Sequence, residues 1–473
     1  MIVLILIAFL IISSLFIFNL PQGNLHRKIY TISTIYSFVF SILILFLFTN
    51  NFNDLLIFNR SWLPGFGIAF SFRVDWLSVI MILSVTIVFL GSAIVPNFRK
   101  INQSNTFYGL LLLLEAALLG VFTANDAIVF YIFWELVLFP VFFISLLWGS
   151  GNRIRLTLKF FIYTLVGSLT MLVGIIFLYN KVPDNASFAI ENLNTAVLTG
   201  TEQIFVFLCL FLGFAIKTPI IPFHSWQPAI YDHLEYPSNM IVAALLSKMG
   251  IFGIIRFLPV MNINASILNP IGFVLLAGAV YAGIAAIRQT NMKKLLAYAS
   301  ISHLSLIVTS LLIQNGTSIQ GSVIQIFAHS INVSALFGVH QILFSRNQNY
   351  NLNSIGRISQ KAPVFAICTM IITLGFIGLP LTNSFPGEFL MLAGIFQAHH
   401  FMAILAGCIL VLSAIYMLWF YQRVFYAHSK TETIEFQDLN RNEFTFFLFM
   451  GFWVIFTGVF PKAITFIFEK FFT

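Results

Sequence analysis

Residues Gly213 to Trp226 read GFAIKTPIIPFHSW, a hydrophobic run with Lys217 set two residues before the first of two prolines. The run that precedes it, IFVFLCLFLGFAI, contains no turn signal, so Lys217 lies at hydrocarbon depth. A charge there costs several kcal/mol, and an ionisable residue kept at such a position points to function. Pro219 and Pro222 each lack a backbone donor and clash with the preceding turn, so the helix must break beside the lysine. The carbonyls freed by the break then need water or protein partners. Lysine, broken helix and a wet cavity together describe an ion pathway.

Composition agrees. The chain has 473 residues, of which 59% are hydrophobic and 8% charged, against about 25% charged in an ordinary soluble domain. This is the make-up of an all-α polytopic membrane protein, and one helical bundle is expected to fill the chain as a single membrane domain. The 56 phenylalanines occur on all but one of the predicted spans beside Ile and Leu and read as lipid-facing filler. A net charge of +8 without a basic run or a stacking module does not indicate nucleic acid. Cys209, Cys368 and Cys408 are far apart in apolar spans and have neither metal-ligand nor redox spacing. Met1 to Leu20 has no basic leader or small-residue cleavage site and reads as a retained first span.

With about 20 apolar residues per span, fourteen spans are predicted: 2–20, 29–49, 74–96, 106–123, 125–148, 155–179, 203–217 with a broken continuation, 238–258, 269–287, 295–313, 320–343, 362–380 with a broken continuation to 398, 400–426 and 444–468. Sixteen lysines and arginines, from Arg27 to Arg441, fall in odd-numbered loops. Only Arg60, Arg73, Lys181 and Arg256 fall at even-numbered ones. By the positive-inside rule both termini are expected outside. Asn50 to Asp75 holds a Pro-Gly turn between alternating residues and predicts a small outer hairpin, with a second outer loop at Asn185 to Thr201.

The stretch GLPLTNSFPGEF, residues 378–389, echoes the first break, with Glu388 beside its Pro and Gly. The second break comes five spans after the first, an odd offset that inverts the second copy, and paired interrupted helices in inverted repeats mark a transport site. Glu135 in FYIFWELVLFP lies about ten residues into its span, roughly 15 Å along the axis. Lys248 in AALLSKMGIFG lies at similar depth on the span after Lys217. A Glu135–Lys217 contact that is made and broken would turn movement into proton uptake and release, because a buried lysine's pKa moves readily. His303 and His329 read equally as hydrogen-bonded core residues and as relay members. Asp232 and Glu235 read as capping or loop contacts, and Glu115 in LLLLEAALLG as a candidate to pair with a neighbouring subunit.

The motifs FYIFWELVLFP, GFAIKTPIIPFHSWQP, LLSKMGIFGIIRF, QTNMKKLLAYASISHLS, FAHSINVSALF and GLPLTNSFPGEFLML resemble, in order, those of the antiporter-like proton-pumping subunits of respiratory complex I. Glutamate rather than lysine at position 388 is nearest the subunit M, or chain 4, branch. The resemblance runs over roughly residues 70–430. It implies fourteen spans, two inverted five-helix repeats and a hydrophilic axis. Residues 1–105 would hold the N-terminal helices and hairpin, 106–258 and 269–426 the repeats, and 444–473 the last helix. By matching motif, Glu135 is the modulating acid, Lys217 the pumping lysine, Lys248 the connecting lysine and Glu388 the exit residue, with His303 and His329 as relay positions. The chain departs from the family in WQPAIYDHLEYP, which has Ala229 where Asp is usual and two extra residues before the next proline.

The resemblance also implies that NADH, FMN, iron–sulfur clusters and quinone act in other subunits, with no cofactor or metal in this chain. Partners would be the other membrane subunits, neighbouring antiporter-like ones included, and lipid, in a bacterial inner membrane. The alternative is a subunit of an Mrp-type cation/proton antiporter or of a membrane hydrogenase, which share most motifs.

Overall fold

A computed structural model describes residues 1–95, 101–183, 187–261, 263–348, 351–352, 356–427 and 436–466. Among these, twelve helices are long and apolar enough to cross a membrane, and two shorter apolar helices, Ile2–Phe18 and Pro363–Ile377, complete the predicted fourteen. A helix satisfies its own backbone donors and acceptors, which is what hydrocarbon demands of a single segment. The protein is an all-α integral membrane protein. Both predicted breaks are present: one helix stops at Lys217 before a short Gln227–His233 helix, and Pro363–Ile377 stops ahead of Ser384–Ala398. The last predicted span is interrupted: Arg441–Val459 ends just ahead of Pro461, residues 462–466 are helical again, and 467–468 lie outside the described residues. Of the basic residues used for orientation, Arg99, Lys100 and Lys430 lie outside the described residues.

The chain forms two compact units. The first comprises Met1–Leu90, Ile101–Thr218 and Leu245–Ile267, and the second Gly91–Lys100, Pro219–Ala244 and Leu268–Thr473.

In the first unit the predicted hairpin is an antiparallel pair, Ile57–Leu63 with Ile68–Arg73, in the register Ile57↔Arg73 and Phe58↔Phe72. Gly67 turns it at φ 66°, in the left-handed region that favours glycine. Asp126 fixes the hairpin to the bundle. Its Oδ2 accepts from Ala69 N–H at 3.1 Å while Oδ1 accepts from Ile128 and Val129 N–H, capping the Ala127–Trp148 helix. Across the same surface Arg256 is paired with Asp75, and its Nη2 lies 2.9 Å from Asp75 Oδ1 and 2.9 Å from Ser78 Oγ. The predicted outer loop contributes Glu191, which pairs with Arg73; residues 184–186 are outside the described ones.

The Gly200–Lys217 helix begins with a capping box of Thr199 and Glu202 and packs along Arg153–Tyr179. The contact is close because Gly213 has no side chain: a Cβ there would lie 2.8 Å from the Gly167 carbonyl oxygen and from Met171 Cβ. Small residues at crossings are how membrane helices gain dispersion energy without a solvent to drive them together.

In the second unit Gly316–Asn347 is the central helix. Its 32 residues extend roughly 48 Å at 1.5 Å per residue, and the whole of its apolar window is buried. Along it lie Ser318, Ser322, Gln325, His329, Ser330, Asn332, Ser334 and His340, all buried. A buried row of this kind is too polar for lipid and has to be satisfied by protein.

Gly213→Val should therefore overpack the first unit by about 1–3 kcal/mol and lower the thermal midpoint of the purified protein. Gly407→Ala, where an added Cβ meets nothing within 4 Å, should leave the midpoint unchanged. Equal midpoints for the two variants would contradict the packing described.

Candidate ion-translocation site

The two helix breaks gather most of the ionisable residues found at membrane depth. In the first unit Lys217 is the last residue of its helix and only 2% exposed. Its Nζ stands 5.5 Å from the centroid of the Trp134 ring, a cation–π contact with the residue next to Glu135. Glu135 acts on Lys217 electrostatically, although no direct ion pair joins them among the described residues. Glu135 is half-buried and is hydrogen-bonded by the Tyr131 side chain one turn earlier, which also meets Ser168. Trp134 and Tyr131 were not singled out by sequence, and the signal was their place on one helix with Glu135, one residue and one turn away.

Lys248 is fully buried on the Ser238–Phe257 helix. Gly250, two residues on, brings that helix onto the break: a Cβ at Gly250 would run into Thr218 Oγ1 and the Phe214 carbonyl oxygen. The lysine thus belongs to the unit that carries Lys217 and Glu135.

In the second unit Glu388 is 4% exposed, on the first turns of the helix after the break. Gln325 Nε2 donates to its Oε1 at 3.1 Å, and His303 Nδ1 is 3.6 Å from the same oxygen. Gly321 and Gly387 allow the approach, since a Cβ on Gly387 would sit 2.9 Å from Gln325 N. The rings of His303 and His329 are 5.8 Å apart, and both lean on Phe376, at 4.7 and 5.9 Å. His303, His329 and Glu388 therefore form one cluster within this unit.

The break beside Glu388 is held open by Asn332. Its Nδ2 lies within hydrogen-bond reach of three acceptors: the Gly375 carbonyl at 3.0 Å on one side, and Asn383 Oδ1 at 3.0 Å and Ser384 Oγ at 2.9 Å on the other. Gly378, at φ 78°, turns the chain, and Leu379 N–H returns to the Leu374 carbonyl at 3.1 Å, a Schellman-type closure. Gln325, Asn332 and Asn383 were missed in the sequence reading. An amide within an apolar span is the signal that could have found them, and Asn332 and Asn383 sit inside the quoted motifs.

Other expectations sort as follows. Asp232, on the short Gln227–His233 helix, contacts the start of the Met292–Leu312 helix, accepting from its N-cap Asn291 Nδ2 at 2.8 Å and pairing with Lys294 at 3.3 Å. Glu115 does not face outward toward a neighbouring subunit. It is fully buried and bound by Ser37 of this chain, because its helix lies inside the first unit.

The family described as NADH:quinone oxidoreductase/Mrp antiporter, transmembrane, matches residues 124–415, which include all six residues Glu135, Lys217, Lys248, His303, His329 and Glu388. The chain belongs to that family. Subunit M of the NADH-quinone oxidoreductase of Rhodobacter capsulatus is 31% identical over 420 residues, 86% of this chain and 81% of that protein. A chain of respiratory complex I from Thermus thermophilus, solved with bound NADH, superposes with a TM-score of 0.89 at 29% identity, covering 99% of this chain and 98% of that one. The fold recurs at 21% identity and a TM-score of 0.85 in an archaeal membrane-bound sulfane sulfur reductase, where the likeness is one of fold. The buried lysines, histidines and carboxyls thus sit on a family scaffold.

Replacing Asn332 with Leu should leave the acceptors at both ends of the break unpaired and cost about 1–3 kcal/mol. The expected result is faster hydrogen exchange at residues 375–388 in the purified protein. Unchanged exchange there would rule out Asn332 as the fastening of the break.

Proposed function

We propose that the chain is the proton-translocating membrane subunit of an NADH:quinone oxidoreductase and carries no redox centre of its own. NADH, FMN, iron–sulfur clusters and quinone act in other subunits, and this chain works among membrane subunits that include neighbouring antiporter-like ones. Lipid surrounds it in a bacterial inner membrane, both termini lie outside, and residues 106–258 and 269–426 are the two inverted repeats. The observation that carries the reading is that both helix breaks end on buried ionisable groups, Lys217 and Glu388, in a family named for ion translocation.

The chemistry follows from what each group can hold. Lysine at Lys217 exchanges its proton because an ammonium removed from water is stable only while a counter-charge is near. Movement of the Ala127–Trp148 helix that brings Glu135 nearer favours the charged lysine, and retreat favours release. The Trp134 face stabilises the cation without accepting its proton. In the second unit, a proton shared over the 3.6 Å between His303 Nδ1 and Glu388 Oε1 passes with a small adjustment of either side chain. Gln325 holds the carboxyl in place for that exchange.

Lys217→Ala should abolish proton pumping in proteoliposomes of the assembled complex while assembly persists. Lys217→Arg should also fail, because arginine keeps its proton. A fully assembled Lys217→Ala complex that pumped at the wild-type stoichiometry would sink the mechanism. Co-purification with an NADH-oxidising complex separates this reading from an antiporter assembly. For orientation, a cysteine at position 153 should resist labelling from outside intact cells, and labelling there would reverse the topology.

A further inference from the structure

The Ser104–Thr123 helix carries another carboxyl at membrane depth, outside the residues 124–415 that the family match covers. Glu115 lies eleven residues into that helix, roughly 16 Å along the axis, and is fully buried within the first unit. Ser37 Oγ donates to its Oε1 at 2.5 Å. Among the described residues its Oε2 has no hydrogen-bond partner and the carboxyl has no ion pair. A carboxylate buried without a cation costs several kcal/mol. A carboxyl so placed is able to take up a proton and to release it when another charge is supplied.

The Leu25–Thr49 helix presents a polar edge to this carboxyl. His26, Tyr30, Thr34, Ser37 and Ser41 are all buried on it, and steps of three and four keep them on one helix face. At one end His26 lies beneath the exposed residues Gln22 to Leu25, beside Arg27 and Lys28. Its Nε2–H donates to the Pro21 carbonyl at 3.0 Å, and Nδ1 faces the Ser104 hydroxyl at 2.8 Å. At the other end Thr86 Oγ1 donates to Ser41 Oγ at 3.0 Å. Close packing of membrane helices accounts for small hydroxyl residues. It does not account for a carboxyl with an open oxygen in the middle of the edge.

We propose that Glu115 is a proton-loading site apart from Glu135 and Lys217, fed from the His26 end along the hydroxyl edge of the Leu25–Thr49 helix. Only an O–H bond forms on loading and breaks on release: the carboxylate takes a proton to become the acid, then returns it. The proposal rests on the proton-translocation reading above.

Three variants of the assembled complex test it in proteoliposomes, with infrared difference spectra recorded during turnover. Glu115→Gln keeps the size and the Ser37 contact but cannot exchange a proton. It should slow pumping by roughly tenfold or more, as expected when a positioned proton carrier is lost, and remove one protonated-carboxyl band. Glu115→Asp should restore the band and most of the pumping. Ser37→Ala should shift that band and slow pumping, and it decides the matter if Glu115→Gln fails to assemble. A Glu115→Gln complex with wild-type pumping and an unchanged carboxyl spectrum overturns the proposal, as does a Ser37→Ala complex with neither change. Lys217→Ala run beside them keeps the two readings apart. Normal pumping in Lys217→Ala defeats the translocation reading, whereas arrested pumping there with an unaffected Glu115→Gln defeats this proposal alone.

Discussion

An ionisable side chain at hydrocarbon depth persists only where protein supplies what water would have supplied, and that requirement shapes both units. Lys217 is held against the Trp134 face with Glu135 in electrostatic reach. Glu388 is held by Gln325 and faced by His303. Neither arrangement is a tight ion pair, and the looseness matters chemically. A buried pair at contact distance would fix its protons, whereas groups held near one another by neutral donors and aromatic faces keep protonation states close enough in energy to exchange.

The same requirement governs the backbone. Interrupting a membrane helix exposes donors and acceptors that lipid cannot satisfy. At the second break the Gly375 carbonyl is met by Asn332, which also reaches the Asn383 and Ser384 side chains across the gap, the Leu379 carbonyl is met by Thr382 Oγ1, and Gly378 makes the turn. At the first, the Ser238–Phe257 helix presses its Gly250 onto Thr218 and the Phe214 carbonyl. Each break is therefore a supported feature, and each places an ionisable residue within a turn or two of freed backbone. Glycines recur here for one reason: the polar atoms to be joined are on different helices, and only a missing Cβ lets the helices come near enough.

Much of this was legible from the chain alone. Apolar runs of span length, a Pro-Gly turn between alternating residues and prolines beside Lys217 each follow local rules, so the helices, the hairpin and both breaks were read correctly. The last span was read as one piece, because an unbroken apolar run does not show that the helix is interrupted at Phe460 and Pro461 before residues 462–466. Glu115 was read outward because a single carboxyl in a leucine run carries no label for which face it occupies, and helix burial is set by neighbours distant in sequence.

The sequence by itself determined the class of the protein, its spans, its broken helices and the residue types that carry charge into the membrane, since hydrophobicity, proline geometry and desolvation act within a few residues. Only the tertiary structure decided which of those groups meet. The pairing of Gln325 with Glu388, the reach of Asn332 across the break and the seating of Ser37 on Glu115 join residues 63, 43 to 52, and 78 positions apart. Such contacts depend on which faces of which helices are packed together, and that choice is made by the sum of many small-residue crossings rather than by any local stretch.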